Sequence, residues 1–156
     1  MTKQQLLKYF PKNTFYLLPK SNYIYKLATK ISKDLNVLTP TIIFQNILED
    51  ARYYNQINVV SINVNFKDDL YEIKKALYHE IRHAYQFEYV KNNDDELSLL
   101  FLREINDLNK EEFGILEIDA YAYMKKKLKE LDNIDYIHPN PLIDEFINKY
   151  LNKFLK

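Results

Sequence analysis

The 156-residue chain reads as an α+β fold, a small antiparallel sheet over about 41–66 packed on a mainly helical body. Three observations lead there. Val60, Ile62, Val64 and Phe66 alternate with Ser61, Asn63 and Asn65, the period of a strand with one dry and one polar face. From Asp69 onward, apolar residues recur at helical spacing to the end of the chain. A single glycine argues against a turn-rich all-β fold and against a glycine-rich phosphate loop.

Residues 1–20 are mixed, broken by Pro11 and Pro19. Ser21 or Asn22 can cap a helix to about Leu35, with Ile24, Leu27, Ala28 and Ile31 on one face. Strands are expected at Thr41-Ile42-Ile43-Phe44, at about Ala51–Tyr54 and, after a turn at Asn55-Gln56, at Ile57–Phe66. Asp69 with Glu72 three residues later fits a capping box. The helix it opens runs from about Leu70 to Val90, with Ile73, Leu77, Ile81 and Ala84 as its core stripe. A polar break at 91–95 separates it from a leucine-rich helix at about Asp95–Leu108. A long helix at Lys110–Leu131 follows, then a loop at Asp132–Pro141 holding His138, then an amphipathic helix at about Leu142–Leu155. The lysines at 125, 126, 127 and 129 read as a solvated helix end that complements the helix dipole. With no repeat and no linker, 1–156 is expected to be a single domain.

Composition narrows the function classes. Lys+Arg and Asp+Glu are equal at 22 each, so no net field draws the chain to nucleic acid. The absence of cysteine removes disulfides, thiolate ligands and a cysteine nucleophile. No signal-like apolar segment opens the chain, and no apolar run approaches the roughly 20 residues of a membrane span. The expected compartment is the cytoplasm, with no membrane partner; the oligomeric state is not legible.

Two of the three histidines fall in one short motif, His79-Glu80-Ile81-Arg82-His83, of the form H-E-x-x-H. On a helix the two imidazoles lie about 40° apart in projection and one turn apart in height, so both can reach one ion. Glu80, about 100° round from His79, need not bind the ion and can take a proton from a water held there, as a general base does. Two histidines rarely hold a catalytic zinc, so a third ligand is required. A third histidine six residues after His83 is excluded, because Tyr89 stands there and Gln86 stands where that variant has glycine. A carboxylate on a later helix remains, and Glu117 fits. It shares a helix face with Phe113, Leu116, Ala120, Met124 and Leu131, where an unpaired carboxylate costs several kcal/mol. A metal ion answers that cost; a salt bridge with Arg82 or Arg103 is the other answer.

The segment 79–86 followed by Glu117-Ile118-Asp119-Ala120 resembles the gluzincin pattern, H-E-x-x-H then E-x-(D/E)-A. It is similar to the small gluzincin-like metallopeptidases of bacteria and their mobile elements, the ImmA/IrrE type among them, over roughly Thr41–Leu131. The resemblance implies one zinc ion on His79, His83 and Glu117, with Glu80 as catalytic base in peptide-bond hydrolysis. It also implies a peptide or protein substrate lying along an edge strand, which residues 51–66 would supply.

One position departs from the pattern. Many gluzincins carry an aspartate four residues after the ligand glutamate to orient a ligand histidine, and here that residue is Tyr121. Either Tyr121 takes that part through its hydroxyl or another acid does. Asp119 points about 200° away from Glu117; it remains open as an orienting acid or as the third ligand itself. For stabilising an oxyanion, the candidates are His138 and Tyr136. Two other readings stay open: a gluzincin-fold binding or regulatory module that does not cleave, and a helical interaction protein.

Overall fold

Residues 1–11, 15–107 and 113–156 are described by the structure, a computed structural model. They form six α-helices and one four-stranded sheet, an α+β fold divided into two units, Met1–Ala84 and Tyr85–Lys156.

In the first unit, α1 (Lys3–Leu6) is opened by Thr2, whose hydroxyl accepts from Gln5 N–H at 3.2 Å while Thr2 N–H donates to the Gln5 side chain at 2.8 Å. That reciprocal box stabilises a helix too short to stand alone. A short strand, β1 (Phe15–Leu17), follows; neither element is legible in the mixed composition of 1–20. Helix α2 (Tyr23–Asp34) begins where Asn22 Oδ1 accepts from Ile24 N–H at 2.8 Å; of its predicted stripe Ile24, Ala28 and Ile31 are buried and Leu27 is half-buried. Strands β2 (Thr41–Gln45), β3 (Ala51–Tyr54) and β4 (Val59–Asn63) complete the sheet.

The strand order is β1-β2-β4-β3, and the sheet is mixed rather than antiparallel. β2 pairs with β4 in parallel, Thr41 opposite Val59 and Gln45 opposite Asn63, while both outer pairs are antiparallel. The reason is a hairpin: β3 folds back on the far side of β4, through a turn in which Asn58 takes a left-handed φ of 51°. β4 is therefore central, and all five of its residues are buried, so the polar face expected from its alternation is not solvated. Ser61 Oγ donates to Gln45 Oε1 at 2.9 Å. Asn63 Nδ2 donates to Ile47 O at 2.9 Å and Glu49 O at 3.2 Å. Asn63 Oδ1 also accepts from Asn65 N–H at 3.0 Å, ending the strand and starting a 3-10 turn, Val64–Phe66. Leu6 of α1 packs with Phe15, Ile43 and Val59 of the sheet in one buried cluster, and Ile42, Val60, Ile62, Ile73 and Leu77 are fully buried as well.

Helix α3 spans Leu70–Asn92, and the division between the units falls at Ala84 and Tyr85 within it. The second unit continues with α4 (Glu96–Ile105), α5 (Ile115–Asp132) and α6 (Pro141–Phe154). Asp95 caps α4 by accepting from Ser98 N–H at 2.9 Å. The Tyr89 hydroxyl also donates to Asp95, and these bonds, Tyr89 first, hold its carboxyl below the usual range. α6 starts as its sequence dictates, with Asn140 accepting from Leu142 and Ile143 N–H and Pro141 in the first turn. Ala122 on α5 and Ile147 and Tyr150 on α6 form one buried cluster in this unit, and Phe101, Ala120, Met124 and Leu128 are buried as well. The lysine run is more than a solvated end: Lys125 pairs with Asp144 at 3.0 Å and Lys126 reaches the Leu155 carbonyl.

Candidate metal centre

α3 starts with half of the predicted capping box. Asp69 Oδ1 accepts from Glu72 N–H at 3.1 Å, but Asp69 N–H goes to Phe66 O and the Glu72 carboxylate to Lys75 at 3.2 Å. Its stripe residues Ile73, Leu77, Ile81 and Ala84 are all buried. The motif falls mid-helix, where His79 and Glu80 are buried at 9% and 8% exposure and His83 is half-buried.

The two histidines converge, with His79 Nε2 3.2 Å from His83 Nε2 and the rings at 78° to one another. Two nitrogens bound to one tetrahedral zinc at 2.0–2.1 Å stand about 3.3 Å apart, so the spacing fits an ion between them. The ligand atoms of His79, His83 and Glu117 all lie within 4.8 Å of one another, and this group can hold a metal ion. Nitrogen and carboxylate donors of this kind suit zinc and its borderline neighbours.

Glu117 is not where the sequence reading put it along its helix. The predicted start at Lys110 lies outside the described residues, but Phe113 and Gly114 are not helical and α5 begins at Ile115. Glu117 therefore stands in the first turn of α5, half-buried, where the helix dipole favours a carboxylate.

That first turn is held from outside. Gly114, the N-cap residue, offers no side-chain cap. Glu104 from α4 supplies one, its Oε2 accepting from Leu116 N–H at 3.2 Å. A Cβ on residue 114 would fall inside the Glu104 carboxylate, so the chain's one glycine stands where close approach requires it. From α3, Gln86 Nε2 donates to Leu116 O at 2.8 Å and to Asp119 Oδ2 at 2.7 Å. Asp119 Oδ1 accepts from the Tyr150 hydroxyl of α6 at 2.8 Å. Asp119 and Gln86 are both fully buried. Asp119 thus ties α3, α5 and α6 together, and among the described residues it is not in the metal-capable group.

Tyr121, Tyr136 and His138 gather in a cluster of their own. Tyr121 stacks on Tyr136 at 6.2 Å and 10°, and His138 meets the Tyr121 ring edge-on at 5.0 Å and the Phe113 ring at 5.4 Å. Tyr121 lies one helical turn after Glu117 on α5. His138 is buried, and its Nδ1 accepts from Asn140 N–H at 3.0 Å, which leaves the ring proton of the neutral form on Nε2. The loop is pinned by Asp144, which accepts from His138 N–H at 2.9 Å and from Lys125. Burial alone would raise the Asp144 carboxyl, but the His138 N–H, Lys125 and Asn148 outweigh it and hold the group below its usual range.

Gln86, Glu104 and Tyr150 were missed by the sequence reading. Gln86 had a signal, because it follows His79 and His83 at the helical offsets of their own stripe. Glu104 and Tyr150 had none beyond being polar groups on amphipathic helices. No helix among the described residues is long and apolar enough to cross a membrane. No family model matches the chain, and no curated protein and no solved structure matches it.

Proposed function

We propose that the chain is a zinc-dependent metallopeptidase of the gluzincin type, acting on a narrow protein substrate in the cytoplasm. The observation that carries this is the convergence of the His79 and His83 Nε2 atoms at 3.2 Å, with Glu117 in reach and a buried Glu80 between them in sequence. His79, His83 and Glu117 would hold the zinc. Bound there, zinc would polarise a substrate carbonyl and make a water acidic enough to attack it near neutral pH. Glu80 takes the proton of the attacking water and delivers it to the leaving amine. The new acid and amine termini balance the water consumed. β3, at one edge of the sheet, offers backbone groups along which an extended peptide can pair. His138, with its proton on Nε2, is the donor suited to a developing oxyanion, with Tyr136 as the other candidate.

Tyr121, standing where an orienting aspartate would be, favours a second reading in which the zinc-loaded protein binds its partner without cutting it. A proteome-derived peptide library incubated with wild type and with Glu80→Gln separates the two. The peptidase reading expects new termini with wild type only, and equal zinc content in both proteins. Identical peptide profiles would leave the binding module standing.

A further inference from the structure

We infer that Gln86 and Glu104 are positioning residues for the metal ligand Glu117, an inference that rests on the metal reading above. Three facts meet at one residue. Leu116 immediately precedes Glu117, and both of its backbone polar groups are held by side chains from other helices. Its N–H is bound by Glu104 of α4, and its C=O, the carbonyl of the peptide bond that enters Glu117, by Gln86 of α3. A ligand in a helix's first turn would ordinarily share the fraying of that terminus. Here the turn has no cap of its own, and Glu104 supplies the cap across the gap that Gly114 leaves.

Gln86 adds register. His79, His83 and Gln86 follow one another at offsets of four and three, so one stripe of α3 carries both histidine ligands and the amide that grips the third ligand's backbone. Both amide protons are committed, one to Leu116 O and one to Asp119 Oδ2. An amide is required there: a carboxylate would turn acceptors against a carbonyl and a carboxylate. Fixing the ligand backbone before the ion arrives lowers the ordering cost of binding it, which is how groups outside the ligand set raise metal affinity.

The test measures zinc dissociation constants by chelator competition, Co(II) absorption spectra, and the melting temperature of the metal-free protein. Gln86→Glu, Glu104→Ala and Gly114→Ala are compared with the conservative Glu104→Gln, whose Oε1 can still accept from Leu116 N–H. The first three are expected to weaken zinc binding about 10–100-fold and to alter the Co(II) band, with Glu104→Gln restoring most of both. Asn22→Ala, which removes the α2 cap, serves as the control and is expected to lower the melting temperature without moving zinc affinity. If Gln86→Glu does not fold, Glu104→Ala and Gly114→Ala decide. Wild type that binds zinc, with variants of unchanged affinity and spectrum, would overturn the positioning role alone. Wild type that binds no zinc would overturn the metal reading, and this inference with it.

Discussion

Asp119→Ala is expected to be among the most damaging single substitutions in the second unit. The carboxylate is fully buried and receives the Tyr150 hydroxyl at 2.8 Å and the Gln86 amide at 2.7 Å. Truncation takes this acceptor from two donors in a dry site, at about 1–3 kcal/mol each. Relief of the buried charge offsets part of that sum, which leaves a net loss of roughly 2–4 kcal/mol. Asp119→Asn should cost only about 1 kcal/mol, because its amide oxygen can face Gln86 while its NH2 faces the Tyr150 oxygen. Tyr150→Phe should be clearly destabilising in wild type and near neutral in the Asp119→Ala background, a coupling of about 1–3 kcal/mol. Urea unfolding of the metal-free proteins at neutral pH reads all of these, with an unchanged m-value as the check on two-state behaviour. A loss below about 1 kcal/mol for Asp119→Ala, or additivity within about 0.5 kcal/mol in the cycle, would refute the tie between α3, α5 and α6.

Asn63→Leu should destabilise the first unit by roughly 2–3 kcal/mol, because the buried amide serves Ile47 O, Glu49 O and Asn65 N–H together; chemical denaturation measures it. The Asp144 carboxyl is held below its ordinary 3.8, so its contribution is present above that value and is lost as pH falls through the folded-state value. Asp144→Asn should therefore lower stability near neutral pH and flatten the acid end of the stability profile below about pH 4, as thermal melts across pH would show. Removing zinc held at about 1,000 times its dissociation constant should take away about 4 kcal/mol, or roughly 10 °C in melting temperature by chelator-controlled scans.

Much of the fold was legible where local chemistry decides it. Asn22, one of the two cap candidates, opens α2, and the stripe Ile73, Leu77, Ile81, Ala84 is buried as its spacing requires. What was not legible was decided by partners distant in sequence. The period of β4 is the same whether it pairs in parallel or antiparallel, so the β2–β4 pairing could not be read from it. Its polar residues look solvent-facing until Gln45 and the 46–50 segment are seen to receive them. The start of α5 is set by Gly114 together with Glu104 on another helix, whereas the periodic apolar residues from Phe113 onward suggest a longer one. The site divides in the same way. The His79–His83 spacing is a local property and survives intact, with Glu117 joining it. The angle of Asp119 to Glu117 says little of its work, whereas its place in the buried row of Leu116, Ala120 and Tyr123 points to a buried tie between helices.

The central claim is tested most directly by anomalous diffraction at the zinc edge from crystals of the zinc-loaded protein. The account predicts one peak per chain, touching His79 Nε2, His83 Nε2 and the Glu117 carboxylate, and lost in Glu117→Ala crystals soaked at the same zinc concentration. No peak there in wild type, or a peak undiminished without Glu117, would contradict it.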